Sequence, residues 1–223
     1  NLQYHPKNDK WRFAENQTDY IGDANSNISA TYDGWIDLFG WGTGNNPTNT
    51  STNSNDYYDF IDWGRNYIDN DVPNTWRTLN YSEWCFLRND RANADSLCGI
   101  AQINGINGLI LLPDNWNSVE GIIFKSGFDD KWTENYADYQ TFTTEQWSKL
   151  ESAGAIFLPA TGFRNITSMS STYDYGSYWS ASCYDNQDAY YLQLNSRDAQ
   201  MGNHDARYGG RGVRLVKDVQ LDS

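Results

Sequence analysis

The sequence predicts an α+β fold with two helices, short strands in mixed and antiparallel pairing, and long irregular loops. Three observations carry this. Two capping boxes, each followed by apolar residues at helical spacing, mark two helices. Short apolar or alternating runs bounded by Gly, Pro, Asn and Asp mark strands and turns. The acidity resides in Asp, a turn former, far more than in Glu, a helix former.

The elements follow in order. Leu2 to Tyr4 and Trp11 to Phe13 read as short strands around a His5-Pro6-Lys7-Asn8-Asp9 turn. Gly34 to Gly42 (GWIDLFGWG) is loosely echoed by Tyr58 to Gly64 (YDFIDWG), with a polar surface loop from Gly44 to Asp56 between them. Two copies over so short a span do not make a repeat architecture. Asn80-Tyr81-Ser82-Glu83 is a capping box that starts the first helix, with Tyr81, Trp84 and Leu87 on its apolar face. Thr143-Thr144-Glu145-Gln146 starts the second, with Trp147 and Leu150 inward and Gly154 as its stop. Gly108 to Pro113, Gly121 to Phe124 and Ala155 to Pro159 read as buried strands. Ala189 to Asn195 alternates, which predicts Tyr190, Leu192 and Leu194 inward and Ala189, Tyr191, Gln193 and Asn195 outward. Gly212 to Val216 is the last strand, with Val213 and Leu215 inward. A strand at each terminus predicts that the N- and C-terminal strands pair. The length fits one domain over 1–223, with a loop-rich insertion at about 33–75.

Composition excludes several classes of function. The net charge is −13, which argues against a nucleic-acid partner and against adhesion to anionic lipid. No apolar run reaches the length of a membrane span, so no membrane insertion is expected within the chain. Asn1-Leu2-Gln3-Tyr4 has neither signal- nor transit-peptide character, so the chain reads as a mature form or a trimmed piece. Cys85, Cys98 and Cys183 are odd in number and form no CxxC pair, so they read as ordinary thiols, with a Cys85–Cys98 bridge as the alternative. Only His5 and His204 are present, and no HExxH, GxSxG, P-loop or Rossmann fingerprint appears. No cofactor is called for. Asp56, Asp59 and Asp62 recur every three residues, as a structural calcium site could, but their spacing is not that of an EF-hand loop.

Several segments resemble known families. Trp76-Arg77-Thr78-Leu79-Asn80-Tyr81-Ser82-Glu83-Trp84 resembles the W-R-L-P-T-x-x-E-W start of the first helix in C-type-lectin-fold domains of the formylglycine-generating-enzyme-like kind. Gly176-Ser177-Tyr178-Trp179-Ser180-Ala181-Ser182, then Ala189 to Leu192, then Gly210 to Val216 are similar to the ending of the major paralogous domain family of gut-bacterial surface proteins. The resemblance implies a C-type lectin-like fold over nearly the whole chain. It does not carry over the oxidase chemistry, because Cys183 has no second thiol in its half of the chain. Nor does it carry over the calcium-dependent sugar site, whose Glu-Pro-Asn and Trp-Asn-Asp strings are absent.

One branch of that fold serves as the variable protein of diversity-generating retroelements, displaying altered residues as a ligand-binding face. The stretch 182–209 resembles such a region: Tyr184, Asp185, Asn186, Asp188, Tyr191, Asn195, Arg197, Asp198, Asn203, His204, Asp205 and Tyr208 belong to the residue set that adenine-altered Asn codons yield. Gln187, Gln193 and Gln200 stand among them but need other codons. Tyr, Asn, Asp and Ser on exposed loops are also what a paratope uses, with or without a retroelement.

The expected function is therefore non-catalytic ligand binding through those fifteen positions. The expected ligand is a protein or glycan on a cell, phage or host surface. The expected location is extracellular or at the cell surface, through an anchor upstream of Asn1, with display on a phage virion as the alternative. A second reading is a fixed cell-envelope adhesin or glycan-binding module using exposed tryptophans between Trp35 and Trp63. A third is a carboxylate-based enzyme. Arg207, Arg211 and Arg214 could meet an acidic ligand, but Arg211 and Arg214 are expected instead to stack on aromatic rings or pair with scaffold Asp residues.

Overall fold

The structure is a computed structural model that describes residues 1–220. Strands β1 (Leu2–His5) and β2 (Lys10–Phe13) form an antiparallel hairpin with Tyr4 opposite Trp11. After the long 14–76 region comes β3 (Arg77–Thr78), then α1 (Tyr81–Cys85), which runs on as one π-helical turn, Phe86–Asp90. Strands β4 (Cys98–Ile103) and β5 (Ile106–Leu111) follow. They are joined by Asn104-Gly105, both at positive φ, the geometry that a two-residue hairpin loop requires. Next are β6 (Thr141–Phe142), α2 (Thr144–Ser152), β7 (Ile156–Pro159), β8 (Phe163–Asn165) and β9 (Ser168–Ser170). The chain closes with β10 (Gly176–Cys183), β11 (Asp188–Leu194), β12 (Ala199–Ala206) and β13 (Leu215–Val216).

Both predicted helices form where their caps place them. The Asn80 side chain accepts from the Glu83 backbone while Glu83 reaches back to Asn80 N–H, and Thr143 and Gln146 repeat the exchange at α2. Gly154, at φ 97, lies two residues beyond the end of α2.

Two sheets carry the fold. One has the order β6-β4-β5-β7, antiparallel except for the parallel β4–β6 pair; the other is the antiparallel β10-β11-β12. The side-chain period of two separates the larger sheet's faces. Ala101, Ile103, Ile110 and Phe157 pack on Trp147 and Leu150 of α2. Cys98, Ile100, Leu109, Leu111 and Leu158 face the other way, onto Trp84 of α1 and onto Leu192, Leu194 and Met201 of the three-stranded sheet. That smaller sheet's far face is closed in turn. Trp179, Ala189 and Tyr191 pack there with Leu2, Ile36, Phe39, Trp63, Ile68 and Val213. Each sheet is therefore covered on both sides.

The echoed segments touch each other: Ile61 N–H donates to Gly42 O (3.0 Å) and Gly44 N–H to Ile61 O (2.9 Å). Each copy contributes an aspartate that pins loops. Asp37 is fully buried and accepts from Asn25 Nδ2 and Ile21 N–H, while Asp62 accepts from Gly64 N–H, Thr78 N–H and Thr78 Oγ1. Gly64 is required beside that pin, because a Cβ there would lie 1.8 Å from the Trp76 carbonyl oxygen.

Several expectations are corrected. Gly121 to Phe124 is not a strand: Gly121 sits at φ 76, Ile123 is 91% exposed, and the segment joins no sheet. The terminal strands do not pair. β1 pairs with β2 and β13 with β3, and one bond from Leu2 N–H to Val213 O (3.1 Å) links the ends. Strands β4 and β12 escaped the sequence reading, because Cys98-Gly99 and Gly202-Asn203-His204-Asp205 lack the β-branched alternation that marks a strand. Cys85, Cys98 and Cys183 are all free thiols. Among the described residues, no helix is long and apolar enough to cross a membrane.

Candidate functional site

The stretch 182–209 holds the end of β10, all of β11 and β12, and the two turns between them. Its first turn is built by one side chain. Asp185 Oδ1 accepts from the backbone N–H of Gln187 and of Asp188, both at 2.8 Å. Those two bonds, with smaller contributions from His204 and Arg207, hold its carboxyl below the usual aspartate range. Arg207 pins the turn from beneath. Its guanidinium donates to Asp185 O and to the carbonyls of Tyr57 and Tyr58 (3.3 and 3.2 Å), and it stacks 4.5 Å from the Trp41 ring centre. The second turn repeats the device: Asn195 Oδ1 accepts from Arg197 N–H (2.9 Å) and Asp198 N–H (3.0 Å).

Above the first turn stands an aromatic platform. The Tyr184 and His204 rings are stacked, with centroids 3.6 Å apart and planes 7° apart. Tyr190 meets Tyr184 edge-on at 5.4 Å, and Tyr81, the first residue of α1, lies 4.3 Å from Tyr190. Asp188 Oδ2 is 2.8 Å from His204 Nδ1 and fixes the imidazole on the platform. Topology explains the cluster. Tyr190 shares the face of Leu192 and Leu194, and it lies opposite His204 on β12. That face is apolar where α1 covers it and turns outward past the helix's first residue. The bulges that interrupt the ladders between Trp179 and Cys183, and between Tyr191 and Gln193, re-aim the strand ends at this point.

The fifteen predicted residues do not form one patch. Tyr184, Asp185, Asn186 and Gln187 are exposed at the first turn, with Asp188 and His204 beside them. Arg197, Asp198 and Gln200 belong to the second turn, where Arg197 lies 6.0 Å from the Trp132 ring centre and Asp198 lies 3.8 Å from Arg88. Gln193, Asn203, Asp205 and Tyr208 are half-exposed or exposed beyond the platform, and Asn203 Nδ2 reaches Gln200 Oε1 at 3.5 Å.

Two positions are corrected outright. Tyr191 is 7% exposed and Asn195 6%, so neither belongs to an exposed face. The predicted parity of β11 holds, but the second face is not solvent. Trp179 and Arg211 cover Tyr191, the guanidinium lying 3.6 Å from its ring centre, and Asn195 is consumed by its own turn. Tyr190, expected inward, is half-exposed at the end of the covered face. Tyr81, expected on the apolar face of the first helix, is half-buried at the edge of the core, where its ring also meets Tyr190.

The expectation of exposed tryptophans between Trp35 and Trp63 is corrected too. Trp41 and Trp63 are buried, and Trp35 is half-buried with the Arg12 guanidinium 3.7 Å over its ring. Arg211 behaves as expected, stacking on Tyr191 and pairing with Asp205, whereas Arg214 does neither and donates instead to Phe157 O and Gln17 Oε1; Arg207 stacks on Trp41. Among the described residues no three His, Cys, Asp or Glu side chains converge on a metal-sized space, and the Asp62 oxygens already serve the bonds to Gly64 and Thr78. A large open cleft of about 750 Å³ lies elsewhere; Arg12, Tyr20, Asp23, Asn104 and Tyr173 line it.

The molecule thus places an exposed aromatic and carboxylate cluster at the first-turn end of a sheet whose middle is packed on both faces. Comparison with protein-family models, with curated proteins and with solved structures gives no match.

Proposed function

We propose that this chain is a non-catalytic ligand-binding domain of C-type lectin-like fold, with its recognition surface at the Tyr184 end of the β10-β11-β12 sheet. The observation that carries the reading is the Tyr184–His204–Tyr190–Tyr81 platform with Asp185 and Asp188 at its edge. Aromatic rings give contact area at small entropy cost, and the carboxylates add directional acceptors. Both turns are self-supporting, which is how a scaffold presents variable loops. The ligand class is a protein or glycan on a cell, phage or host surface. The resemblance of 182–209 to retroelement-diversified regions supports a surface that changes between relatives.

The test is a binding screen against surface glycans and envelope proteins, with Tyr184→Ala/His204→Ala in parallel. Ligands captured by the native chain and lost by the double variant support the reading. Equal capture by both would sink it.

A second reading, a fixed glycan-binding module, is favoured by a separate feature. Tyr173 is 64% exposed on the wall of the large cleft, meets Tyr20 edge-on at 6.5 Å, and has Asp23 and Arg12 nearby. Loss of capture in Tyr173→Ala alone would favour it.

A further inference from the structure

On the side of the sheet away from the platform, Phe163, Arg164, Asn165, Asp205, Tyr208 and Arg211 line a cavity of about 140 Å³. Two of these are buried arginines. Arg164 is 0% exposed and donates to the carbonyls of Ile166 and Leu38; no carboxylate lies within ion-pair distance of it among the described residues. Arg211 is 2% exposed, sandwiched against Tyr191, Trp179 and Phe163. Three guanidinium nitrogens, Arg164 Nε and Arg211 Nε and Nη1, have no hydrogen-bond partner among the described residues. Unpaired buried donors on charged groups are costly, so their persistence calls for a compensating acceptor.

Asp205 reaches the Arg211 guanidinium but none of these three nitrogens. Its Oδ2 takes the Arg211 Nη2 donor, while its Oδ1 is committed to the Ala206 backbone N–H at 2.7 Å. It therefore meets the guanidinium fork through one oxygen, from a side chain that is 54% exposed. A free planar carboxylate has two oxygens to offer the same fork, and two parallel bonds are the stronger arrangement.

We propose that the Arg164–Arg211 cavity is a carboxylate subsite, which Asp205 occupies until a ligand carboxylate displaces it. The subsite stands independently of the platform: it needs neither Tyr184 nor His204, and the two lie on opposite faces of the sheet. Its ligand class is acidic, although the chain as a whole carries −13, because two buried guanidinium groups against one half-exposed carboxylate leave the cavity locally positive.

The test is titration of the full chain with sodium acetate at constant ionic strength, following the arginine Nε–Hε signals by NMR. Asp205→Asn is the informative variant. Asparagine keeps an oxygen for Ala206 N–H but removes the competing charge, and the amide spectrum verifies the fold. The expected result is saturable movement of the Arg211 and Arg164 signals, with affinity in Asp205→Asn about tenfold above that of the native chain, the scale of one charge-assisted hydrogen bond released from competition. Signals that stay fixed in both proteins, or that move with equal affinity in both, overturn the proposal. Methyl glucuronide and N-acetylglycine in separate arms identify the source: tighter binding of the first points to an acidic sugar, of the second to a peptide C-terminus, and equal binding to the carboxylate alone.

Discussion

Tyr184 lies flat on His204, ring on ring at 3.6 Å, and Asp188 holds the imidazole from its edge. The tyrosine is 49% exposed. A stacked pair left this open contributes little to the core and presents a broad, pre-ordered surface outward.

Replacing either partner should therefore separate binding from stability. Tyr184→Ala and His204→Ala should each leave unfolding free energy within about 0.5 kcal/mol of the native value, the usual range for surface positions. Affinity for a captured ligand should fall about tenfold or more. Urea unfolding and surface plasmon resonance on the same preparations measure both. A large loss of stability with unchanged affinity would place the pair in the scaffold instead.

Tyr191 should show the reverse. It is buried between Trp179 and the Arg211 guanidinium, with its hydroxyl 3.4 Å from that of Tyr175. Tyr191→Ala should destabilise the fold by about 3–4 kcal/mol, as expected for a lost buried aromatic. Tyr191→Phe, which removes only the hydroxyl contact, should cost about 1 kcal/mol or less. Denaturant midpoints of the two variants decide the matter.

Glu83 gives a pH-dependent prediction. Its carboxylate accepts two bonds from Arg77, both at 2.8 Å, and this pairing holds its pKa below the usual value of 4.5. A depressed acid adds stability that is full above the usual value and is lost as pH falls through the lowered one. Glu83→Gln keeps the capping function and removes only the charge. It should melt below the native chain at neutral pH, and the gap should close as pH falls below about 4.5. A gap that stays constant in a series of melting curves from neutral to acid pH would rule out the ion pair as its source.

The thiols should label in order of exposure. Cys183 is exposed, Cys85 half-buried and Cys98 buried, with burial pushing the Cys98 pKa up to about 11. Mass spectrometry after a brief maleimide pulse should find Cys183 modified first and Cys98 only after unfolding. Early labelling of Cys98 would contradict the packing between α1 and the larger sheet.

Much of the local structure was legible because it depends on neighbours in sequence. Asn80 with Glu83, and Thr143 with Gln146, are complete within four residues, so both helix starts could be read directly. The alternation of β11 was legible for the same reason. What could not be read was its cover. The residues that bury Tyr191 include Trp179 and Arg211, and the cluster around them draws on Ile36, Phe39 and Trp63. No local period reports on partners that far away. The site suffered most from this. A polar, tyrosine-rich stretch has the same composition whether its side chains face a ligand, as Tyr184 does, or hold a turn together, as Asn195 does. The paired arginines of the small cavity lie 47 positions apart, from Arg164 to Arg211, and nothing in the sequence joins them.

The two turns have a consequence for how freely this stretch can change. Asp185 closes the first and Asn195 the second, each with a single side-chain oxygen shared between two backbone N–H groups. The neighbours Asn186, Gln187 and Arg197 are exposed and close neither turn with their side chains. Substitutions there should alter what the tips offer a partner while their shape persists. Exchanges at Asp185 or Asn195 should instead scramble the tip they close. A randomised library of this stretch would then keep two short acceptors constant and let the residues between them roam, so the repertoire of the surface is governed by which few positions must not vary.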